Sequence, residues 1–129
     1  MTRNMDLIRE LLLKLEALPL LPGSIVHITP DAEEVQVEGC SIQEIDYHLS
    51  LIANSGLINT GNVNPMHGIG FRCLTWSGHD LVDSIRNPEV WSKTKKGAAA
   101  AGGFTFDLLK DLAKGLLKKQ VEEYTGIKL

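Results

Sequence analysis

Six side chains in this chain are the natural candidates for metal binding or nucleophilic chemistry: His27, His48, His67, His79, Cys40 and Cys73. A structural zinc site is built from close pairs such as C-x2-C and H-x3-H, which hold a tetrahedron together. None of the six stands in such a pair. A thiol nucleophile needs an imidazole within reach, and Cys40 or Cys73 with His48 or His79 could in principle supply one. Cys73, however, closes the strand-like run Gly70-Phe71-Arg72-Cys73, where a buried, inert thiol is expected. His79 stands at a helix start beside Trp76 and is expected to hydrogen-bond another element. The chain has no G-x-S-x-G elbow, no G-x-x-x-x-G-K-[ST] phosphate loop and no H-E-x-x-H helix. Gly68-Ile69-Gly70 lacks the strand-to-helix setting of a dinucleotide site. The expectation is a non-enzymatic protein with no cofactor and no metal.

Composition narrows the class further. With 129 residues the chain can build one compact domain with a modest core. Hydrophobic residues at 43% and charged ones at 22% are those of an ordered globular protein. Aromatics make up only 5%, so aliphatic side chains must fill the interior. No run of 18 apolar residues exists to span a membrane. Charges interrupt residues 1–20, as in Arg9-Glu10, so no secretory leader is expected there. Two cysteines without CxxC spacing suit a reduced, cytoplasmic protein, with a Cys40–Cys73 disulfide left open. The net charge of −3 is uneven. Residues 1–86 carry five Lys/Arg against eleven Asp/Glu, a net of −6, and residues 87–129 carry eight Lys against five acids, a net of +3.

The elements follow from periodicity and caps. Asn4 caps a helix to about Leu18, with Met5, Ile8, Leu11, Leu12, Leu15 and Leu18 on one stripe. Pro19, Pro22 and Gly23 end it. Ser24 to Ile28 reads as a short strand, and Val35-Gln36-Val37 as another. Ser41 and Glu44 have capping-box spacing and open a helix over 42–54. Ile42, Ile45, Leu49 and Ile52 point inward, with Gln43, Tyr47, Ser50 and Asn54 opposite. Gly56 follows as a positive-φ stop. Residues 57–60 and 71–74 pair as strands around a long glycine-rich connection, 61–70. Thr75 caps the next helix, about 76–86, and Gly78 near its start predicts close backbone approach. Asn87-Pro88-Glu89 starts a further helix, which Gly102-Gly103 ends. Thr105 caps the last, to about Tyr124-Thr125-Gly126. On this helix Lys118–Glu122 and Lys119–Glu123 are spaced as ion pairs worth only ~0.3 kcal/mol each.

Helix, strand, long connection, strand, helix is the order of the second half of a winged-helix domain. The expected fold is therefore α+β and mostly α: a winged-helix-like core over 3–86 and a C-terminal extension, 87–129, of two helices that pack back on the core or on a partner. The most specific stretch, Leu74-Thr75-Trp76-Ser77-Gly78-His79-Asp80 with Val90-Trp91-Ser92-Lys93-Thr94-Lys95, carries a resemblance. Together with Arg3-Asn4-Met5-Asp6-Leu7-Ile8-Arg9, Tyr47-His48-Leu49 and Ser55-Gly56-Leu57-Ile58, it resembles domain of unknown function family 2513, small bacterial and bacteriophage proteins, over about residues 3–120. The resemblance implies a small cytoplasmic protein, often of prophage origin. It carries over no site residues.

Two surfaces remain. Winged helices bind DNA through a helix that offers Lys, Arg, Asn or Gln to bases and phosphates. Here the corresponding helix, 42–54, has Glu44 and Asp46 and no Lys or Arg, and the 61–70 connection has no basic residue. DNA binding is disfavoured on this acidic core, and its remaining route runs through Lys93, Lys95, Lys96, Lys118 and Lys119. The last helix has a wide stripe of Leu108, Leu109, Leu112, Ala113, Leu116, Leu117 and Val121, wider than a solvent-facing helix needs. That stripe covers its own domain or forms a homodimer interface. The resulting expectation is a protein-interaction module, open to self-association, with an unidentified protein partner. Its contacts would be Gln43, Tyr47, Ser50, Leu109, Leu112, Leu116 and Leu117. A winged-helix DNA-binding regulator is the alternative.

Overall fold

A computed structural model describes residues 1–103 and 105–129. Among these residues the chain is α+β and mostly helical, with five α-helices and two small antiparallel sheets. It divides into two compact units, Met1–Asp80 and Leu81–Leu129.

In the first unit, helix α1 spans Met5–Glu16. The Asn4 side chain accepts from the N–H groups of Asp6 and Leu7 at 3.0 and 3.3 Å, satisfying donors that the helix start leaves unpaired. Leu7, Ile8, Leu11, Leu12 and Leu15 are buried on one stripe. The helix stops two residues short of Leu18. Leu18 precedes Pro19, and that position disfavours helical backbone. The expected strand at 35–37 is instead a 3-10 turn, Glu33–Val35. Gln36 itself is extended, but its side-chain amide donates back to the carbonyls of Pro30 and Ala32, both at 2.9 Å, and no strand pairs with it among the described residues.

Helix α2 runs Ile42–Ala53 behind the Ser41–Glu44 capping box. Ile45, Leu49 and Ile52 are buried as expected, but Ile42 is 47% exposed. It lies in the first turn, on the flank of the apolar stripe rather than its centre. Its place in the interior is taken by His48.

Strand β1 (Val26–Ile28) pairs with β3 (Ile69–Phe71), and β2 (Ile58–Asn59) pairs with β4 (Cys73–Leu74), both antiparallel. The second pairing is the one the sequence predicts. The first corrects the expected 61–70 connection, because Ile69 and Gly70 belong to a strand. Gly70 makes that possible, since a Cβ there would lie 2.6 Å from the Thr60 carbonyl oxygen. Cys73 is exposed, not buried. Along β4 side chains alternate, and Leu74 takes the inward place.

Helix α3 (Trp76–Ile85) begins on this unit. The Thr75 hydroxyl accepts from the Gly78 N–H at 3.1 Å and donates to the Gly56 carbonyl at 2.7 Å. A Cβ on Gly78 would collide with the carbonyl oxygen of Leu57, so the close approach expected there is present. The boundary between the units falls inside α3.

In the second unit, α4 (Pro88–Ala100) is capped by Asn87, which accepts from Glu89 and Val90 at 2.8 and 3.2 Å. Helix α5 (Phe106–Thr125) starts at Thr105 and ends at Gly126, whose φ of 73° glycine adopts without strain. The two helices pack together. Gly97 provides a seat for Leu112, whose methyl lies 3.3 Å from where a Cβ would stand.

Candidate interaction surface

The outer face of α2 is held by three separate anchors. The first is its own cap. The Ser41 N–H donates to the Glu44 carboxylate at 3.0 Å, and the Glu44 N–H donates to the Ser41 hydroxyl at 3.1 Å. The Ser41 backbone and then its hydroxyl hold the Glu44 carboxyl below the usual carboxylate range. The second anchor is His48, 1% exposed. Its Nε2 lies 2.8 Å from the backbone N–H of Asn4, and its Nδ1 lies 2.7 Å from the Glu44 carbonyl. An N–H can only donate, so Nε2 is the acceptor and Nδ1 carries the hydrogen. One neutral imidazole thus ties α2 to the residue that caps α1. The third anchor is Asp46. Its Oδ1 accepts from the Gly68 N–H at 3.1 Å, and its Oδ2 lies 3.6 Å from Nδ1 of His67. His27 Nε2 lies 2.9 Å from the His67 carbonyl, which fixes the far side of the same loop.

These anchors present Gln43, Tyr47 and Ser50 together on the exposed side, with Ile42 at their edge. The Tyr47 ring stands edge-on to His48, centroids 5.5 Å apart. Sequence reasoning found the first three residues through helical period. It missed Ile42, which it placed inside, and it missed His48 and Asp46 as anchors because their partners lie 44 and 22 residues away.

The α5 residues divide. Leu109 is 1% exposed, so it offers no surface for a partner. Leu112 sits on Gly97. Leu116 and Leu117 are partly exposed, and the apolar line continues outward through Val121 and Tyr124, 45% and 93% exposed. Leu117, Gln120, Val121, Tyr124 and Thr125 form a shallow, mostly apolar depression.

The lysines are spread over both helices. Lys93 pairs with Glu89 at 3.3 Å, and Lys95 lies 5.7 Å from the Trp91 ring centroid. Lys96, Lys118 and Lys119 are exposed. Among the described residues no ion pair joins Lys118 to Glu122 or Lys119 to Glu123. The Glu122 carboxylate instead accepts from the Leu129 N–H at 2.9 Å.

The reactive residue types are brought together only loosely. Glu16, Cys73 and His79 line one shallow cleft with Arg72. His79 Nδ1 is 4.0 Å from the Glu16 carboxylate, and among the described residues no hydrogen bond joins Cys73 to His79. Cys40 and Cys73 are both free thiols. Burial first, and the Glu44 charge second, push the Cys40 thiol up, away from the reactive thiolate. Among the described residues no group of three or more His, Cys, Asp or Glu is placed to hold a metal ion. No helix among them is long and apolar enough to cross a membrane. Trp76, 84% exposed at the start of α3, is a further exposed apolar side chain, to which the sequence reading gave no role.

No solved structure matches the chain. An uncharacterized protein of Haemophilus influenzae is 34% identical over 125 residues, which cover 94% of this chain and 99% of that relative. The profile of the family described as "Hypothetical protein (DUF2513)" matches residues 2–104, and the chain belongs to that family.

Proposed function

We propose that the chain is a non-catalytic protein-interaction module that works through the outer face of α2. One observation carries this reading. A rigidly anchored helix exposes Ile42, Gln43, Tyr47 and Ser50, and it bears Glu44 and Asp46 but no Lys or Arg. Tyrosine with an aliphatic neighbour gives contact area at low entropic cost, as protein interfaces require. The two acids repel phosphate. Leu116 and Leu117 on α5 offer a second contact line, through which the chain would self-associate. Two free cysteines support action in a reducing cytoplasm.

The second reading is a winged-helix DNA-binding regulator. Its support is the order of α1, α2, the β2–β4 pair and α3, which suits a winged-helix-like core over 3–86 with 87–129 as its extension. DNA would then be met by Lys93, Lys95 and Lys96 on α4 and Lys118 and Lys119 on α5.

Fluorescence anisotropy of a labelled mixed-sequence duplex, at low and at moderate salt, decides between the two. The interaction module leaves anisotropy flat at both. Binding that weakens steeply with salt, and that Lys118→Glu with Lys119→Glu abolishes, overturns it in favour of the regulator.

A further inference from the structure

Two open depressions meet at Arg72 and Cys73. Glu16 from the end of α1 and His79 from α3 line the first together with them. In the second, of about 530 Å³, Leu21, Pro22 and Asn59 join Arg72 and Cys73, and no acid lines it. That volume lies within the range of small-ligand sites. The strand explains why the two side chains emerge together. Asn59 pairs with Cys73, and its carbonyl also accepts from the Arg72 N–H at 2.8 Å, so two residues oppose one, as in a β-bulge. Regular alternation would put Arg72 and Cys73 on opposite faces. Instead Phe71 and Leu74 are both buried, and Arg72 and Cys73 are both exposed. Among the described residues no carboxylate pairs with Arg72, whereas Glu16 has His79 at 4.0 Å. The other thiol has the opposite setting, because burial and the Glu44 charge push Cys40 up.

We propose that Cys73, in this Arg72–His79–Glu16 cluster, is a site of reversible thiolation by anionic low-molecular-weight disulfides, with Arg72 receiving a carboxylate of the reagent. This reading is independent of the α2 face. The Cys73 thiol gives its proton to water, and the thiolate attacks one sulfur of the disulfide. An S–S bond forms at Cys73 as the reagent's own S–S bond breaks, and the departing thiolate takes up a proton. Cys73 is oxidised and half of the reagent is reduced, so no further oxidant enters. A guanidinium grips a carboxylate through two parallel N–H bonds, which holds the reagent beside the thiol. The product is a mixed disulfide that excess free thiol removes.

The test uses the full, reduced chain and two reagents, glutathione disulfide, which is anionic, and bis(2-hydroxyethyl) disulfide, which is neutral. Mass spectrometry of the intact chain and of its peptides follows each thiol. Glutathione should add to Cys73 at least about tenfold faster than to Cys40, and dithiothreitol should remove it. The decisive variant is Arg72→Gln, checked for native helicity by circular dichroism. It should slow the glutathione reaction at Cys73 at least about threefold and leave the neutral reaction within about twofold of wild type. Arg72→Lys, which keeps the charge, should recover part of the lost rate. A merely exposed thiol would show no such split between reagents. Two results overturn the proposal: Cys40 reacting as fast as Cys73, or Arg72→Gln changing both reagents equally or neither.

Discussion

His48 shows how much a single residue contributes here, and how little of it is legible beforehand. The helical period puts position 48 at the edge of the inward stripe. The acceptor role of Nε2 depends on Asn4, far away in the chain. Replacing His48 by Ala removes two part-buried hydrogen bonds and leaves the Asn4 N–H without its protein acceptor. A loss of about 2–4 kcal/mol is expected. Urea unfolding measures it, and a loss below about 0.5 kcal/mol would show that the imidazole does not hold α2 to α1. The Ser41–Glu44 pair, by contrast, was readable from spacing alone. The folded Glu44 carboxyl titrates below its ordinary value of 4.5. Its contribution is therefore complete above that pH and lost as pH falls through the lowered folded value. Comparing wild type with Glu44→Gln by thermal unfolding should give a constant difference from about pH 6 to 5 and a shrinking one below about pH 4. A difference that grows on acidification contradicts the assignment.

At the scale of elements, local signals placed the helices well, because caps and breakers act within a few residues. Asn4, Ser41, Asn87 and Thr105 all cap where spacing predicts. Strands were read less well. Val35 closes a 3-10 turn and Gln36 bonds back to Pro30 and Ala32 instead of to a strand, and β3 pairs with β1, more than 40 residues earlier. Neither pairing is written in a local pattern. Two glycines give opposite predictions. Gly78→Ala drives a methyl into a backbone carbonyl that belongs to the β2 side of the fold. It should cost about 2–4 kcal/mol. Gly97→Ala meets only the tip of Leu112, at 3.3 Å. Leucine can turn aside, and alanine improves helix propensity by about 1 kcal/mol, so stability should change by less than about 0.5 kcal/mol or rise. Chemical denaturation of both variants measures the contrast, and equal losses would contradict the packing described for them.

For the whole molecule, the uneven charge was legible in the sequence, and it argues against nucleic acid at the acidic face. The candidate site was half legible. Gln43, Tyr47 and Ser50 do share one exposed side, but Ile42 joins them unexpectedly, and Leu109 is withdrawn into the interior. Burial depends on packing between helices, which one helix's period cannot supply. The central claim is that the α2 face binds protein. A photoreactive benzoylphenylalanine at position 43, irradiated in living cells, tests it most directly, with the same residue at Met66, an exposed loop position, as reference. The account predicts a discrete protein adduct at position 43 that is absent at 66 and lost when Tyr47 is also changed to Ala. Equal labelling at both positions, or none at 43, would contradict it.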